Sequence, residues 1–543
     1  MDKFTLKLWE PTLWATALAL LLAAASSHAT TFTVTTTSDS GPGSLRAALL
    51  AANAQQVTGG TACARHDIVF AIPGNAPHTI QPLSALPSLQ IPMTLDAFTQ
   101  PGSSPNTLLR GSNEVPGIEL DGSLAGATDA IVVQGFIAGS GVCGGNTSII
   151  RGFAINRFGG SAISAGADSC TAAQGCSSGG LLIIGNLIGT DVTGLLPRGN
   201  GFVLGRPAIR FGSFSTNNIV GDQVLAEGGP STPTPGNRNV ISGNGGDGIS
   251  IASPVLGSSA TAIKLRNNYI GVDASGTAAM SNAGNGVFVG VNASGTQVAD
   301  NLISANAGDG MRIVDNVSGG VFDGNGIGIG LNGLALGNTG NGVYVRNSRG
   351  VTIVRRFVAG DTTKPSIANN GGAGIFVDVD SVVDSVAASI GNNGGLGIDL
   401  APVGINANDA NDPDTGPNEG LNFPIITSAT FDSSTAVGTI QGTLNSTPNS
   451  TIEVFFYISV ACDPSGNGEA EALLGNPLFV SVATGASGTN TFSVNAPFLP
   501  VGRFVTAHAR RFNTSEPFLE VSEFSACRLV QSLGPFIFAD GFE

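Results

Sequence analysis

Histidines, the side chains most often used for acid–base catalysis, are unevenly placed in this chain of 543 residues. The four histidines are His28, His66, His78 and His508, so the long stretch between the last two contains none. A Ser-His-Asp triad and a histidine metal cluster are therefore excluded from that stretch. Carboxylates and arginines are the remaining candidates for chemistry there.

Two kinds of carbohydrate chemistry use those residue types. Paired acids hydrolyse glycosidic bonds, and an arginine base beside a calcium-binding acid cluster serves a polysaccharide lyase. Arg312, Asp378 and Asp380 are the residues we select for such a role. No repeated catalytic signature accompanies them.

One acidic stretch could offer oxygen ligands to calcium, at Asp409, Asp412, Asp414 and Glu419. Its spacing does not match a calcium loop of the helix-loop-helix kind. A solvated connecting turn is the preferred interpretation, and no metal site or other cofactor is predicted.

Composition and the N-terminus indicate an exported protein. The net charge of −15 disfavours nucleic acid and anionic membranes as partners. Lys3 and Lys7 precede an apolar run from Leu13 to Ala25 and then Ser27-His28-Ala29, which predicts a signal peptide over residues 1–29. The run is too short to span a bilayer, and we expect no membrane span in the mature chain.

The six cysteines support the same compartment, because an even count in an exported chain favours disulfides. Cys462 and Cys527 are the only cysteines near the C-terminus, so a disulfide between them is the most economical pairing. The connectivity of the other four stays open; these are Cys63, Cys143, Cys170 and Cys176.

The elements that would position these residues come from an internal repeat. A phrase of glycine followed by alternating apolar residues returns at intervals of 23 to 38 residues, which indicates a solenoid or a propeller. It starts at Gly248, Gly286, Gly310, Gly342, Gly374 and Gly397. A second phrase, Asn-x-Ile, precedes it by 9 or by 17 to 18 residues, so short and long coils alternate. This phrase starts at Asn186, Asn239, Asn268, Asn301 and Asn325.

Strands this short and this frequent favour a parallel β-helix over a propeller, whose blades need four strands each. We predict the β-helix over residues 65–405, with rungs about 4.8 Å apart and the recurring asparagines forming amide ladders. The fold class is all-β.

A solenoid needs caps, and residues 30–64 suit the N-terminal end. The segment from Thr31 alternates like a strand, Ser44 is a helix N-cap, and one helical face collects Leu45, Ala48, Leu49 and Ala52.

Residues beyond the β-helix change in character. A polar linker is predicted over 406–421, and alternating apolar runs over 422–531 predict a small antiparallel β-sandwich. A short tail, 532–543, completes the chain.

Several motifs resemble those of bacterial right-handed parallel β-helix repeat proteins with a pectin-lyase-like fold. They are Ser40-Gly-Pro-Gly-Ser-Leu-Arg-Ala-Ala, which is similar to a CSLREA-type N-terminal segment, Leu95-Asp-Ala-Phe-Thr-Gln-Pro-Gly, Asn186-Leu-Ile-Gly-Thr-Asp and Asn239-Val-Ile-Ser-Gly-Asn. Ala97 departs from the glycine expected there. The C-terminal region, with Cys462-Asp-Pro-Ser-Gly and Ser522-Glu-Phe-Ser-Ala-Cys527, resembles immunoglobulin-like modules. The tail resembles a terminus found on exported proteobacterial proteins. The resemblance implies a fold shared by polysaccharide lyases, hydrolases and noncatalytic surface proteins.

The glycine-led strands also predict a surface. With period two, one side chain per coil points outward, and these side chains stack along one side of the rod. They are Ser250, Phe288, Arg312, Tyr344, Phe376 and Asp399, with Arg346, Asp378 and Asp380 beside them. Their rings and charges could bind sugars. Alternatively, the row is a structural ladder that stabilises the rungs.

We therefore predict a secreted or cell-surface β-helix scaffold that is noncatalytic and acts in adhesion or polysaccharide binding. Its partner would be a polysaccharide or another surface molecule, bound by Phe288, Arg312, Tyr344, Arg346, Phe376, Asp378 and Asp399. The alternative is a polysaccharide lyase or glycoside hydrolase that uses Arg312, Asp378 and Asp380, with Arg312 about 10 Å from Asp378.

Overall fold

A computed structural model describes residues 29–55, 65–134, 136–137, 148–166, 176–222, 233–255, 258–315, 317–354, 366–386, 389–475, 477–512 and 518–534. These residues are almost entirely β-structure. The one α-helix is Leu45–Asn53, and 3-10 turns occur at Ala97–Thr99, Gly122–Leu124, Pro235–Asn237 and Pro417–Gly420. In this part of the chain, no helix is long and apolar enough to cross a membrane.

Three long parallel sheets form a β-helix, as the repeat predicts. Sheet 1 has eleven strands: Thr31–Val34, His66–Phe70, Met93–Asp96, Ile149–Arg151, Leu182–Ile184, Ile219–Gly221, Lys264–Arg266, Gln297–Ala299, Val321–Asp323, Arg349–Val354 and Val382–Val386. Sheet 2 has ten: His78–Ile80, Ile118–Asp121, Phe153–Asn156, Leu187–Ile188, Val240–Ile241, Tyr269–Ile270, Leu302–Ile303, Gly326–Ile327, Ile367–Ala368 and Ile390–Gly391. Sheet 3 has nine: Ile131–Val133, Ile163–Ala165, Ile209–Phe211, Ile249–Ile251, Val287–Val289, Met311–Val314, Val343–Arg346, Ile375–Val377 and Ile398–Leu400.

A fourth, shorter sheet follows sheet 3 in the middle coils. Its strands are Phe136–Ile137, Cys176–Gly179, Ser215–Thr216, Ala260–Thr261 and Ala293–Ser294. The first pair is antiparallel and the others are parallel. This sheet was not foreseen, because four of its five strands have only two residues and leave no apolar period in the sequence.

The two repeat phrases occupy separate sheets. All six glycine-led phrases form consecutive strands of sheet 3, and all five Asn-x-Ile phrases form strands of sheet 2. Their alternate apolar side chains point inward and are almost completely buried in one continuous core. The parallel β-helix is confirmed.

The predicted asparagine ladder is present in sheet 2. Asn186, Asn239, Asn268, Asn301 and Asn325 are buried, and each donates its side-chain amide to the next one at 2.9 to 3.1 Å. The chain of bonds satisfies polar groups that would otherwise be unpaired inside the rod.

A second ladder of the same kind was missed. It runs through seven buried asparagines, with hydrogen bonds of 2.9 to 3.1 Å between the side-chain amides of neighbours. Its members are Asn200, Asn244, Asn282, Asn306, Asn338, Asn370 and Asn393. Six of the seven stand four residues before a glycine-led phrase, so the sequence did carry a signal.

The alternation of short and long coils also has a physical cause. Long coils carry a hairpin-like loop after sheet 2, closed by the bridges Thr190–Pro197, Val272–Ala279 and Ile329–Ala335. Successive loops hydrogen-bond to one another and cover the outer face of sheet 2 with a small apolar cluster that includes Leu187, Tyr269 and Leu302. The outer face of sheet 2 is therefore closed over these coils.

The N-terminal cap has the predicted form. Ser44 accepts a hydrogen bond from the Ala47 amide at 3.2 Å, and the helix buries Leu45, Ala48, Leu49 and Ala52 against the first coils. The preceding strand pairs in parallel with His66–Phe70 and so starts sheet 1.

The C-terminal region consists of two mainly antiparallel sheets around their own core. Sheet 5 contains Ile425–Asp432, Val437–Asn445, Thr489–Pro497 and Gln531–Leu533. Sheet 6 contains Thr451–Ser459, Ala472–Leu473, Phe479–Ala483, Phe504–Phe512, Leu519–Val521 and Arg528–Leu529. The predicted Cys462–Cys527 disulfide is present. Cys63, Cys143, Cys170, residues 1–28 of the predicted signal peptide and residues 535–543 of the tail lie outside the described residues.

Sheet 6 also closes the C-terminal end of the β-helix, which the sequence did not foresee. Phe455, Tyr457 and Phe524 belong to the same apolar core as the last coils. Glu469 accepts hydrogen bonds from the backbone amides of Asn392 and Asn393, and Glu523 accepts one from Leu400. The sandwich thus supplies the acceptors that the next coil would provide.

The segment 406–421, predicted as a linker, is held to both units. Asn418 is completely buried and donates its side-chain amide to the carbonyls of Val383 and Val521. The connection is therefore a fixed part of the junction.

Candidate functional site

The outward side chains of sheet 3 form one in-register row. Backbone pairing places Ser250 beside Phe288, Phe288 beside Arg312, and so on through Tyr344 and Phe376 to Asp399. The row arises because each strand starts one residue after its glycine, so period two brings the same position outward in every coil. We call the five side chains from Phe288 to Asp399 the sheet 3 row.

The centre of the row is a stack of flat groups. The Arg312 guanidinium carbon lies 4.0 Å from the centre of the Tyr344 ring, and the Phe376 ring lies 5.7 Å from it at an interplanar angle of 21°. Arg312 and Phe376 come from the two strands that flank Tyr344, so they cover opposite faces of its ring. Only the edge of Tyr344 is open to a ligand.

Two arginines, one in the sheet 3 row and one beside it, are paired within the fold. Arg312 donates to Asp309 at 2.9 Å, and Arg346 donates to Asp315 at 3.2 Å. The bond to Asp315 raises the pKa of Arg346 above its ordinary value. Both arginines are thus held in fixed orientations.

Tyr344 is fixed at its hydroxyl as well. The hydroxyl donates to Asp378 at 2.5 Å. Partial burial, followed by the bond to Asp378, raises the pKa of Tyr344. The phenol therefore stays protonated near neutral pH and serves as a donor.

Asp399 lies at its predicted register position but not on the surface. Its side chain is buried and accepts a hydrogen bond from the Gly404 amide at 3.0 Å. Burial raises the pKa of Asp399 to about 6. The prediction that the Asp399 side chain is exposed on this surface is wrong, because the chain that leaves the last strand folds back over it.

Asp380 belongs to a neighbouring cleft of about 430 Å³. The cleft lies at the corner between sheets 3 and 1 and spans three successive coils. It is lined by Val317, Ser318, Asn347, Ser348, Arg349 and Asp380. Its volume falls in the range of small-ligand sites, about 300 to 1,000 Å³.

Most of the cleft residues were missed, although a signal existed. Asp315, Asn347 and Asp380 have positive φ angles of 61°, 45° and 54° at this corner in consecutive coils. Asn and Asp tolerate that conformation better than other side chains. Their recurrence at intervals of 32 and 33 residues marks the corner that the cleft occupies.

The residues offered for catalysis are only partly brought together. Arg312 is bound to Asp309 and Asp378 to Tyr344, whereas Asp380 is exposed at the cleft. Asp309 also accepts from the backbone and side-chain amides of Asn341, so its carboxylate links two successive coils.

The acidic group considered for calcium is engaged in the sandwich junction. The carboxylates of Asp409, Asp412 and Asp414 lie within 4.8 Å of one another, and Glu419 is not part of this group. Asp412 accepts from Arg511 at 3.1 Å and from Ser446 at 2.7 Å. These contacts tie the connecting segment to the sandwich through Asp412.

No protein-family model matches the chain, and no curated protein matches it. Solved structures that resemble it include the A-module of the Azotobacter vinelandii mannuronan C-5 epimerase AlgE4, at 14% identity and a TM-score of 0.34 over 68% of this chain and 91% of that chain. ORF18 of Geobacillus virus E2 has 10% identity and a TM-score of 0.32 over 87% and 79%. The enzymatically active domain of bacteriophage CBA120 tailspike protein 2 has 12% identity and a TM-score of 0.20 over 85% and 71%. Likenesses at these identities and TM-scores carry no argument about what this chain binds or does.

Proposed function

We propose that the chain is a secreted or cell-surface β-helix scaffold that binds a polysaccharide, or another surface molecule, without catalysis. The observation that supports this most directly is the sheet 3 row with its adjoining cleft. The side chains from Phe288 to Phe376 are partly exposed along four coils, whereas loops cover the outer face of sheet 2.

The geometry changes how the row would contact sugars. Stacking on the face of Tyr344 is blocked, so its hydroxyl edge and the polar groups beside it would make the contacts. Phe288 lies in a separate rung between Ser250 and Arg312 and supplies apolar surface. Such a mixture of apolar area with a few fixed polar groups is typical of ligand sites.

Binding to a glycan panel by the purified mature chain tests this proposal. We expect Phe288→Ala to weaken binding roughly tenfold, because a partly exposed aromatic contact is removed. Lys264→Ala, on the outer side of sheet 1, is the matched control and should bind like the unaltered chain. Failure of every glycan to bind would overturn polysaccharide binding by this chain.

The same panel addresses the alternative of a lyase or hydrolase. If the chain turns over any glycan, with or without calcium, and Arg312→Ala abolishes that turnover, the protein is an enzyme and the noncatalytic proposal is wrong. Bound glycan recovered without change in length is the result we expect.

A further inference from the structure

The corner cleft is chemically distinct from the aromatic part of the sheet 3 row. The hydroxyl of Ser318, the amide of Asn347 and the carboxylate of Asp380 line it, whereas the Ser348 hydroxyl is buried and donates to the Arg346 carbonyl at 3.0 Å. Hydroxyls and amides both donate and accept, whereas an ionised carboxylate only accepts. The set therefore suits a ligand rich in hydroxyl donors.

The cations of this region are already engaged. Arg312 is paired with Asp309 and Arg346 with Asp315. Arg349, which lines the cleft, also has an interaction within the fold. At Arg312 and Arg346, an anionic ligand would therefore meet cations whose charge is already balanced by a paired carboxylate.

Asp380, the acid in the cleft, is not paired in this way. Asp380 is exposed, and no described side chain donates a hydrogen bond to its carboxylate. The chain as a whole carries a net charge of −15. A polyanion that approached the cleft would meet unfavourable potential from both sources.

We propose that the corner cleft binds an uncharged sugar unit, with Asp380 accepting hydrogen bonds from its hydroxyl groups, and that it discriminates against uronic-acid polymers. This inference rests on the proposed function and adds the class of polysaccharide. Charge-assisted hydrogen bonds from two sugar hydroxyls to one carboxylate would supply the specificity.

The test compares neutral glycans (glucan, mannan, galactan and xylan) with polygalacturonate and alginate at low and high salt. We expect a neutral glycan to bind with an affinity that salt changes little, because screening acts on charge–charge interactions. Asp380→Asn keeps the shape of the side chain and should weaken that binding roughly tenfold. Asp67→Asn, on sheet 1 near the other end of the rod, is the matched control and should have no effect.

The outcomes separate this inference from the proposed function. Preferential binding of a polyuronate would overturn the assignment of a neutral sugar and leave polysaccharide binding standing. If a neutral glycan binds and Asp380→Asn leaves its affinity unchanged, the corner cleft is not the binding site. Absence of binding to all of the glycans would overturn polysaccharide binding itself, and with it the present inference.

Discussion

The part that a side chain plays in this molecule depends on its neighbours one coil away. Tyr344 illustrates the point, because its two ring faces touch Arg312 and Phe376, and its hydroxyl reaches Asp378. These neighbours are 32 to 34 residues distant in the sequence. Tyr344 is therefore a rung of a structural ladder, and its edge adjoins the proposed ligand surface.

Substitution of Tyr344 separates the contributions of its ring and its hydroxyl to stability. Tyr344→Phe keeps the stack and loses the bond to Asp378, so we expect the free energy of unfolding to fall by about 1 kcal/mol. Tyr344→Ala also loses the cation–π and ring contacts and should cost about 2 kcal/mol or more. Urea unfolding measures both. Equal losses would mean that the stack contributes nothing.

At the scale of elements, two buried asparagine ladders fix the register of the coils. An asparagine within a ladder accepts a hydrogen bond from the coil on one side and donates one to the coil on the other. A shift in the register of one coil would therefore leave several buried amides unpaired. Asn306, for example, accepts from Asn282 at 3.0 Å and donates to Asn338 at 2.9 Å. Removal of one rung is therefore more costly than loss of a single surface bond.

Asn306→Ala should lower the free energy of unfolding by about 3 kcal/mol, because it removes one of the two acceptors of the buried Asn282 side-chain amide and opens a small void. Asn332→Ala is the matched control, since Asn332 is exposed and caps one loop amide at 3.2 Å. We expect that control to cost about 0.5 kcal/mol. Similar shifts of the urea midpoint for the two variants would contradict the ladder's role.

The capping helix and the sheet 3 row could be predicted from the sequence, because each follows from a local or periodic residue pattern. The helix after Ser44 and its buried face follow from a cap residue and a 3.6-residue period. The row from Phe288 to Phe376 follows from the glycine phrases and period two. By contrast, the covering of Asp399 depends on where the chain folds after its last strand, and no residue pattern near Asp399 announces it.

At the scale of the whole molecule, the β-helix and the sandwich share an interface that neither sequence region reveals alone. The acceptors Glu469 and Glu523 belong to one unit, and the amides that they satisfy belong to the other. Apolar contacts across the junction join the same core, in which Phe524 lies against Gly397. An exposed solenoid end would leave edge groups unpaired, so the sandwich acts as the C-terminal cap.

This capping role predicts different effects for two buried phenylalanines of the sandwich. Phe524→Ala removes contacts at the junction and should destabilise it by about 3 kcal/mol. Amide hydrogen exchange should then accelerate in the last coil, at Ile390 and over Ile398–Leu400. Phe492→Ala, in the sandwich's own core, should mainly affect exchange in sheet 5. Equal protection of the last coil in Phe524→Ala and the unaltered chain would mean that the sandwich does not cap it.

Two titratable groups at the junction give its stability an unusual dependence on pH. His508 is fully buried against the rings of Phe455, Tyr457 and Phe524. Burial, and then the charge of Arg510, lowers the pKa of His508 to about 3. Its contribution to stability is present above the unfolded pKa of about 6.5 and is lost as pH falls towards 3.

Glu523 has the opposite effect on how stability depends on pH. Burial raises the pKa of Glu523 to about 7, against the bonds from Asn406 and Leu400, which favour the ionised form. Its contribution is therefore present below the unfolded value of about 4.5 and is lost as pH rises through 7. Between pH 5 and 7.5 the two contributions oppose each other, each on the order of 2 kcal/mol.

Single substitutions should expose each contribution in turn. In the unaltered chain, the buried neutral His508 lowers stability at pH 5, where the unfolded chain binds a proton at this residue. His508→Phe removes that effect, so the free energy of unfolding at pH 5 should rise by about 2 kcal/mol relative to its value at pH 7.5. Glu523→Gln should shift the same difference by a similar amount in favour of pH 7.5. Urea unfolding at the two pH values measures both shifts, and comparison within each variant cancels changes in packing that do not depend on pH. Shifts of the same sign in the two variants would show that the junction does not hold these groups in the protonation states assigned to them.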